Sequence, residues 1–275
     1  MARTLHVVSS TSGDSGMHAV AQMLARLDGG DVRLSCGDMS GFDEVWVHGL
    51  WLPRLWKACV ECIRARRRGH GSPRLVRMVH GALSPVYLEC SGKWKKRMAA
   101  PVERLLFRAC DRVAVSGPWE EEWCRRWGVE GPFETVDIKR FFRLPESAPP
   151  FLPPSDRPMH LLYLGRNHPL KGLDILKAAV ADMPDCELRV EHSAFGEDKN
   201  AILDWCDVLV LPSLSENFGL VAAEALEHGR RVVVTDGAPA WEGQPGVEYV
   251  RGFVEGSPAR RIHLLREAVG RAISP

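Results

Sequence analysis

The chain has 275 residues, of which 45% are hydrophobic and 26% charged, with a formal net charge of +1. This is ordinary globular composition, long enough for two compact domains. No apolar run approaches the roughly 18 residues of a membrane span, and eight scattered cysteines do not make a disulfide framework in a chain of this size.

In chain order, "TLHVVSS" is a β-type run that begins almost at the first residue, where a signal peptide would need an apolar core instead. The expectation is a soluble, cytoplasmic protein. Helical patterns over 17–27, 51–68, 94–110 and 119–127 alternate with strand-like "DEVWVHG", "RLVRMVHG" and "DRVAVSG". Cys59 and Cys62 form a lone C-x-x-C inside the second helical pattern. A structural zinc needs four ligands and no second pair follows, so ordinary helix positions outweigh zinc or redox chemistry there.

Residues 143–158 read "RLPESAPPFLPPSDRP", and six prolines in that stretch cannot continue a helix or a central strand. The expected domain boundary falls here, giving domains 1–150 and 151–275. Beyond it, the strand-like runs "MHLLYLG", "CELRVEH", "DVLVLPS" and "RRVVVTDG" alternate with helical patterns over 172–181, 198–205, 220–228 and 259–271. Apolar strands alternating with helices predict parallel sheets covered on both faces. Open α/β sheets bind ligands beyond the carboxyl ends of their strands, so a cleft between two such domains is the expected site.

Two segments carry candidate chemistry. In "LYLGRNHPLKGLDIL", Arg166 lies two residues past a strand and Lys171 opens the next helix, just before Gly172. Two cations beside a helix N-terminus suit a diphosphate; the same residues also read as a solvated basic loop. In "SLSENFGLVAAEAL", Glu216 and Glu224 are eight residues apart, about 12 Å along a helix. The carboxylate pair of a retaining glycosidase needs about 5 Å. Two separate hydrogen-bonding tasks on one long, hydroxyl-rich ligand fit better, with the helix start between them available to phosphate. The plainer readings are a loop acid near a helix N-terminus and a surface carboxylate on an Ala-rich helix.

"ENFGLVAAE" resembles the E-x7-E element of retaining glycosyltransferase family 4, and "LGRNHPLKGLDIL" resembles that family's arginine–lysine element. "TDGAPAWEG", "HGLW", "HGALSPVYL" and "GKWKKRMAAPVERLLFRACDRVAVSG" are similar to its lipopolysaccharide and capsule-type subgroup. The resemblance implies a GT-B fold: two Rossmann-like domains facing each other across a cleft. It implies retaining, metal-independent hexosyl transfer from a nucleotide sugar to a glycan or lipid-linked acceptor, with no cofactor and with a UDP-sugar favoured over a GDP-sugar. Arg166 and Lys171 would hold the diphosphate, Glu216 the donor sugar and Glu224 the ribose. Asn217, Phe218, Gly219 and Leu220 would meet the donor through their segment's backbone. His80 matches the family's N-domain histidine beside the donor sugar, and its plainer reading is a satisfied strand-end imidazole. His48 falls in "HGLW", on the acceptor side. Gly13 and Gly16, in "TSGDSG", would let the backbone approach the donor phosphate.

The sequence departs from the family between "LRVEH" and "DWCDVLVLP". Only eleven residues, 193–203, stand where another strand and helix are usual, so the C-terminal domain is expected to be shortened and its base pocket altered. A non-catalytic GT-B subunit and a sugar-nucleotide epimerase are the alternative readings. The window 51–110 holds 14 Lys+Arg against 3 Asp+Glu. Within it, 64–68 and Lys93, Trp94, Lys95, Lys96 and Arg97 suggest an acceptor or anionic membrane surface and peripheral attachment to the inner face of the cytoplasmic membrane. A solvated basic face is the other reading. No nucleic-acid recognition module is apparent.

Overall fold

The computed structural model describes residues 3–10, 16–39, 41–67, 73–90, 92–150, 154 and 156–274. By their contacts the residues fall into two units, Met1–Ile138 and Lys139–Pro275.

The first unit alternates strand and helix: β1 (Thr4–Val7), α1 (Gly16–Asp28), β2 (Asp31–Arg33), β3 (Glu44–His48), α2 (Pro53–Arg67), β4 (Arg74–Met78), α3 (Pro85–Glu89), α4 (Lys93–Ala109), β5 (Arg112–Val115), α5 (Pro118–Arg126) and β6 (Phe133–Thr135). The six strands form one parallel sheet in the order β2-β1-β3-β4-β5-β6. Side chains alternate along each strand. Leu5, Val7, Val45, Val47 and Leu75 pack on Leu55, Ala58, Cys59 and Cys62 of α2. Burial pushes the Cys62 thiol up to about 11 and raises that of Cys59, so this C-x-x-C is apolar core rather than a thiolate pair. The intervening positions Thr4, His6, Trp46 and His48 are also buried, which makes one sheet face unusually polar.

A buried ion pair fastens this unit. Arg77 on β4 and Glu103 on α4 are both fully buried, with Nη1 donating to the carboxylate at 2.8 Å. The same carboxylate accepts from Trp51 N at 2.5 Å and Trp56 Nε1 at 2.8 Å. The Arg77 guanidinium also lies over the Phe107 ring.

The second unit runs β7 (Met159–Leu164), α6 (Leu173–Val180), β8 (Cys186–Glu191), α7 (Gly196–Trp205), β9 (Val208–Leu211), α8 (Leu220–Glu227), β10 (Arg231–Thr235), β11 (Val247–Val250) and α9 (Pro258–Ile273). Its five parallel strands are ordered β11-β10-β9-β7-β8. Leu161, Tyr163, Val208, Val210 and Val233 pack against Leu176 of α6 and Leu265 and Val269 of α9.

The packing boundary lies upstream of the expected 150/151. Residues from 139 onward already belong to the second unit: Arg143 N donates to Glu227 Oε1 at 2.7 Å, and Phe142 stacks on Phe218. The prolines mark where regular structure stops, whereas contacts decide which unit a segment joins. The short 193–203 connection holds a helix, most of α7, and no strand. β2, β6 and β11, of three or four residues each, and the five-residue α3 are too short for periodicity to reveal.

Candidate functional site

In the second sheet β7 has β8 on one side and β9 on the other. The carboxyl ends of β7 and β9 therefore flank a topological switch point, where open α/β sheets take ligands. Arg166 and Lys171 follow β7, and Glu216 follows β9.

Lys171 does not open α6 as its sequence position suggests. It closes a single 3-10 turn, Pro169–Lys171, and Gly172 stands between that turn and α6. Gly172 has φ +66°, and a Cβ there would lie 2.0 Å from the Pro212 carbonyl oxygen. Only glycine gives both that conformation and that approach. The approach locks the lysine turn to the loop after β9, and Leu214 N donating to Leu170 O at 2.8 Å completes the lock. The Lys171 ammonium and the Glu216 carboxylate are in direct contact, both largely covered. Arg166 is exposed, while its carbonyl accepts from the Tyr163 hydroxyl at 3.0 Å, which fixes the loop that presents it.

The segment after β10 supports the 213–219 loop from behind. Glu216 N donates to Gly237 O at 2.7 Å, Thr235 Oγ1 to Ser213 O at 2.5 Å, and Trp241 Nε1 to Phe218 O. A Cβ on Gly237 would meet Ser213 O at 2.0 Å. Phe218 is buried between Phe142 and Trp241, so only its backbone can serve a ligand. Asn217 and Leu220 are half-buried. Gly219, at φ +77°, is the N-cap of α8, and no side chain caps that helix. Its first amides thus remain available to an anion.

Glu224 lies in the second turn of α8, with Lys199 Nζ of α7 at 2.6 Å. Burial raises its carboxyl above the usual range, and Lys199 offsets only part of that rise. Lys199 was not legible in the sequence, because nothing distinguishes it from a solvated helix cation. A depression of about 450 Å³ opens beyond β8, lined by Arg189, Glu191, Ser193, Phe195 and Asp198 among others.

In the first unit, two expected positions change. His48, placed on the acceptor side from sequence, is fully buried between two other imidazoles and can touch no acceptor. Lys96 is also buried: its ammonium donates to the Tyr87 carbonyl and lies over the Tyr87 ring, so it leaves the acceptor or membrane set. An aromatic face and a carbonyl compensate the buried charge. Lys93 pairs with Glu89, one turn away. Trp94, Lys95 and Arg97 point outward. His80 is half-buried, two residues beyond β4, with φ +55°. The next residue is held by Glu120, whose buried carboxylate accepts from Gly81 N and, at 2.7 Å, from Ser116 N. Gly16 opens α1, and Gly13 lies outside the described residues. Among the described residues no three His, Cys, Asp or Glu side chains gather as metal ligands.

Residues 146–255 match the family model "Glycosyl transferases group 1". No curated protein matches. Among solved structures, the sucrose-phosphate synthase of Thermosynechococcus elongatus is 17% identical, over 98% of this chain and 89% of that one, with a TM-score of 0.68. Anabaena HepE in complex with UDP-glucose is 16% identical over 98% and 91%, with a TM-score of 0.65. The lipopolysaccharide outer core galactosyltransferase WaaB is 14% identical over 100% and 92%, at 0.61. The fold is that of the GT-B proteins, two Rossmann-like domains, and over residues 146–255 the second unit is similar to the group 1 glycosyl transferases.

Proposed function

We propose that this GT-B chain is a retaining glycosyltransferase that moves a hexose from a nucleotide sugar to a glycan or lipid-linked acceptor in cell-surface polysaccharide or lipopolysaccharide synthesis. The observation that carries this reading is the Lys171–Glu216 contact at the switch point, beside the uncapped start of α8. An incoming diphosphate offers Lys171 a stronger anionic partner, and Glu216 is released to the sugar hydroxyls. Arg166 and the α8 amides complete the phosphate cradle. Cations placed where charge develops on the leaving diphosphate lower the barrier without help from a resident metal. Glu224, beyond the cradle and beside Lys199, takes the ribose. The depression at Phe195 and Arg189 is offered to the base. HepE, of similar fold, was solved with UDP-glucose, which supports UDP as the first nucleotide to try.

Thermal-shift titration with UDP-, GDP-, ADP- and CMP-sugars tests donor binding. A shift with a UDP-hexose is expected; none with any nucleotide would leave a non-catalytic subunit as the better account. Given that donor, Glu224→Ala should raise its Kd about tenfold, the worth of a charged hydrogen bond. Glu216→Ala should chiefly lower kcat, since contact at the reacting sugar strengthens in the transition state. Steady-state kinetics separates the two, and equal loss of kcat at unchanged donor affinity in both variants contradicts the assignment.

The lipid-linked acceptor and a peripheral location on the inner face of the cytoplasmic membrane are supported by α4. Trp94 (67% exposed), Met98 (75%), Val102 and Leu105 (65%) recur at helical spacing on its outer surface, beside Lys95, Arg97, Arg104 and Arg108. An apolar stripe flanked by cations suits the surface of an anionic bilayer, each cation contributing about 1 kcal/mol, screened by salt. No helix of the described residues is long and apolar enough to cross a membrane. Co-sedimentation with anionic liposomes at low salt and release at high salt are expected. The Trp94→Ser/Lys95→Ser/Arg97→Ser protein should bind them several-fold less while keeping donor affinity. Indifference of the wild type to such liposomes would favour a soluble glycan acceptor.

A further inference from the structure

The polar face of the first sheet holds a continuous file of imidazoles. His6 on β1, His48 at the end of β3 and His80 beyond β4 step across three neighbouring strands. His6 Nδ1 and His48 Nε2 are 2.9 Å apart, as are His48 Nδ1 and His80 Nε2. The file ends at Asp28, the last residue of α1, whose Oδ2 is 3.1 Å from His6 Nε2. His6 and His48 are wholly inaccessible to solvent, whereas Asp28 and His80 at the two ends are partly exposed.

Each inner nitrogen has one partner, so a single proton on any ring fixes the direction of the whole file. Asp28 sets that direction. Its Oδ1 accepts from Gly30 N at 2.8 Å, and although burial alone would raise the carboxyl, its hydrogen bonds to His6, Gly30 and Thr4 hold it below the usual range, so it is ionised and can only accept. A neutral His6 then donates from Nε2 and accepts at Nδ1, and the neutral His48 and His80 follow in the same order. Burial pushes the His48 and His80 imidazoles well down, which keeps both neutral and the order intact. Among the described residues the second nitrogen of His80, Nδ1, has no hydrogen-bond partner. His80 adopts φ +55°, a conformation that few non-glycine residues take and that the surrounding structure must enforce. Gly49 N bonded to Met78 O at 2.8 Å and Glu120 bonded to Gly81 N brace the strand ends on either side.

We propose that Asp28, His6 and His48 are positioning residues that hold His80 in one tautomer, with Nε2 protonated and Nδ1 turned outward as a hydrogen-bond acceptor for a sugar hydroxyl of the substrate. The role of His80 rests on the glycosyltransferase reading; the tautomer does not. An aspartate that orients one catalytic imidazole is a known device, and here two further rings relay the same instruction.

Asp28→Asn tests it. Gly30 N still requires an oxygen at the Oδ1 position, so the amide nitrogen must face His6 Nε2 and donate to it. Every bond in the file then reverses, and His80 presents Nδ1–H. In the wild-type protein, long-range 1H–15N spectra of labelled histidines should show His6, His48 and His80 all protonated at Nε2 alone. In Asp28→Asn the His80 resonances should move to the Nδ1–H form. With a UDP-hexose that binds, the kcat for release of UDP should fall about 10- to 100-fold, the cost of one mismatched hydrogen bond, while KM stays within about twofold. A wild-type spectrum showing Nδ1–H on any of the three rings overturns the proposal even if the variant does not fold. So does an unchanged His80 tautomer in Asp28→Asn. Absence of nucleotide-sugar binding with the predicted spectra would remove the glycosyltransferase reading and leave the relay standing.

Discussion

Lys171→Met should lower kcat about 10²- to 10³-fold, the largest functional loss expected from one substitution in the second unit. Removing one preorganised charge that stabilises a developing anion costs about 2.7–4 kcal/mol in transition-state stabilisation. Lys171 is preorganised by backbone: its 3-10 turn is locked to the loop after β9 through Gly172 and through the Leu214–Leu170 hydrogen bond. Methionine keeps the aliphatic stem and removes the charge. Glu216 then loses its partner, but it is partly exposed and can rotate to water, so folding should survive. Donor Kd should rise by less than kcat falls, because the diphosphate keeps Arg166 and the α8 amides. Lys171→Arg should recover little, since a planar fork does not replace a compact ammonium pressed against one carboxylate. Single-turnover transfer with saturating donor, read against a binding titration, measures both quantities. A Kd that rises as much as kcat falls would show that Lys171 contributes uniform binding only.

The sequence reveals the long elements of this fold because periodicity and termini agree in them. The four helical patterns before the prolines and the four after them all appear, displaced by no more than about two residues at most ends, a scale on which helix ends fray in any case. The donor side is legible for a different reason. Glu216, Gly219 and Glu224 lie in one short segment, and Arg166 and Lys171 in another, so spacing along the chain approximates spacing in the fold. The first unit defeats that logic. His6, His48 and His80 come from three strands 42 and 32 residues apart, and their contact depends on strand order and on the side of the sheet each one faces. The period-2 positions of His6, Trp46 and His48 were visible, but two-sided burial in a parallel sheet hides which face a residue takes. Lys96 fails similarly. In "KWKKR" the three lysines are chemically alike, and only the curl of α3 beneath α4 selects one to bury on Tyr87. Arg166, which no element encloses, is where the sequence left it: a cation in a loop.

Arg77→Met should destabilise the protein by about 3–5 kcal/mol, the usual effect of removing one partner from a buried ion pair. The mechanism is desolvation rather than lost attraction alone. The Glu103 carboxylate is inaccessible to water, and without the guanidinium its donors among the described residues are the Trp51 amide and the Trp56 indole. Two neutral donors do not offset the cost of a buried charge. The effect should reach beyond packing. Trp51 has φ +71°, a strained backbone for a bulky side chain, and the hydrogen bond from its amide to Glu103 holds it there, three residues after His48. Loosening Glu103 loosens "HGLW" and with it the seat of the middle imidazole. Thermal unfolding followed by circular dichroism should show the midpoint falling by on the order of 10 °C. Arg77→Met/Glu103→Gln should be more stable than Arg77→Met alone, because the neutral amide oxygen still accepts from Trp51 and Trp56 while no charge remains buried. A double variant no more stable than the single one would mean that the Arg77 side chain matters through its packing on Phe107 and not through its charge.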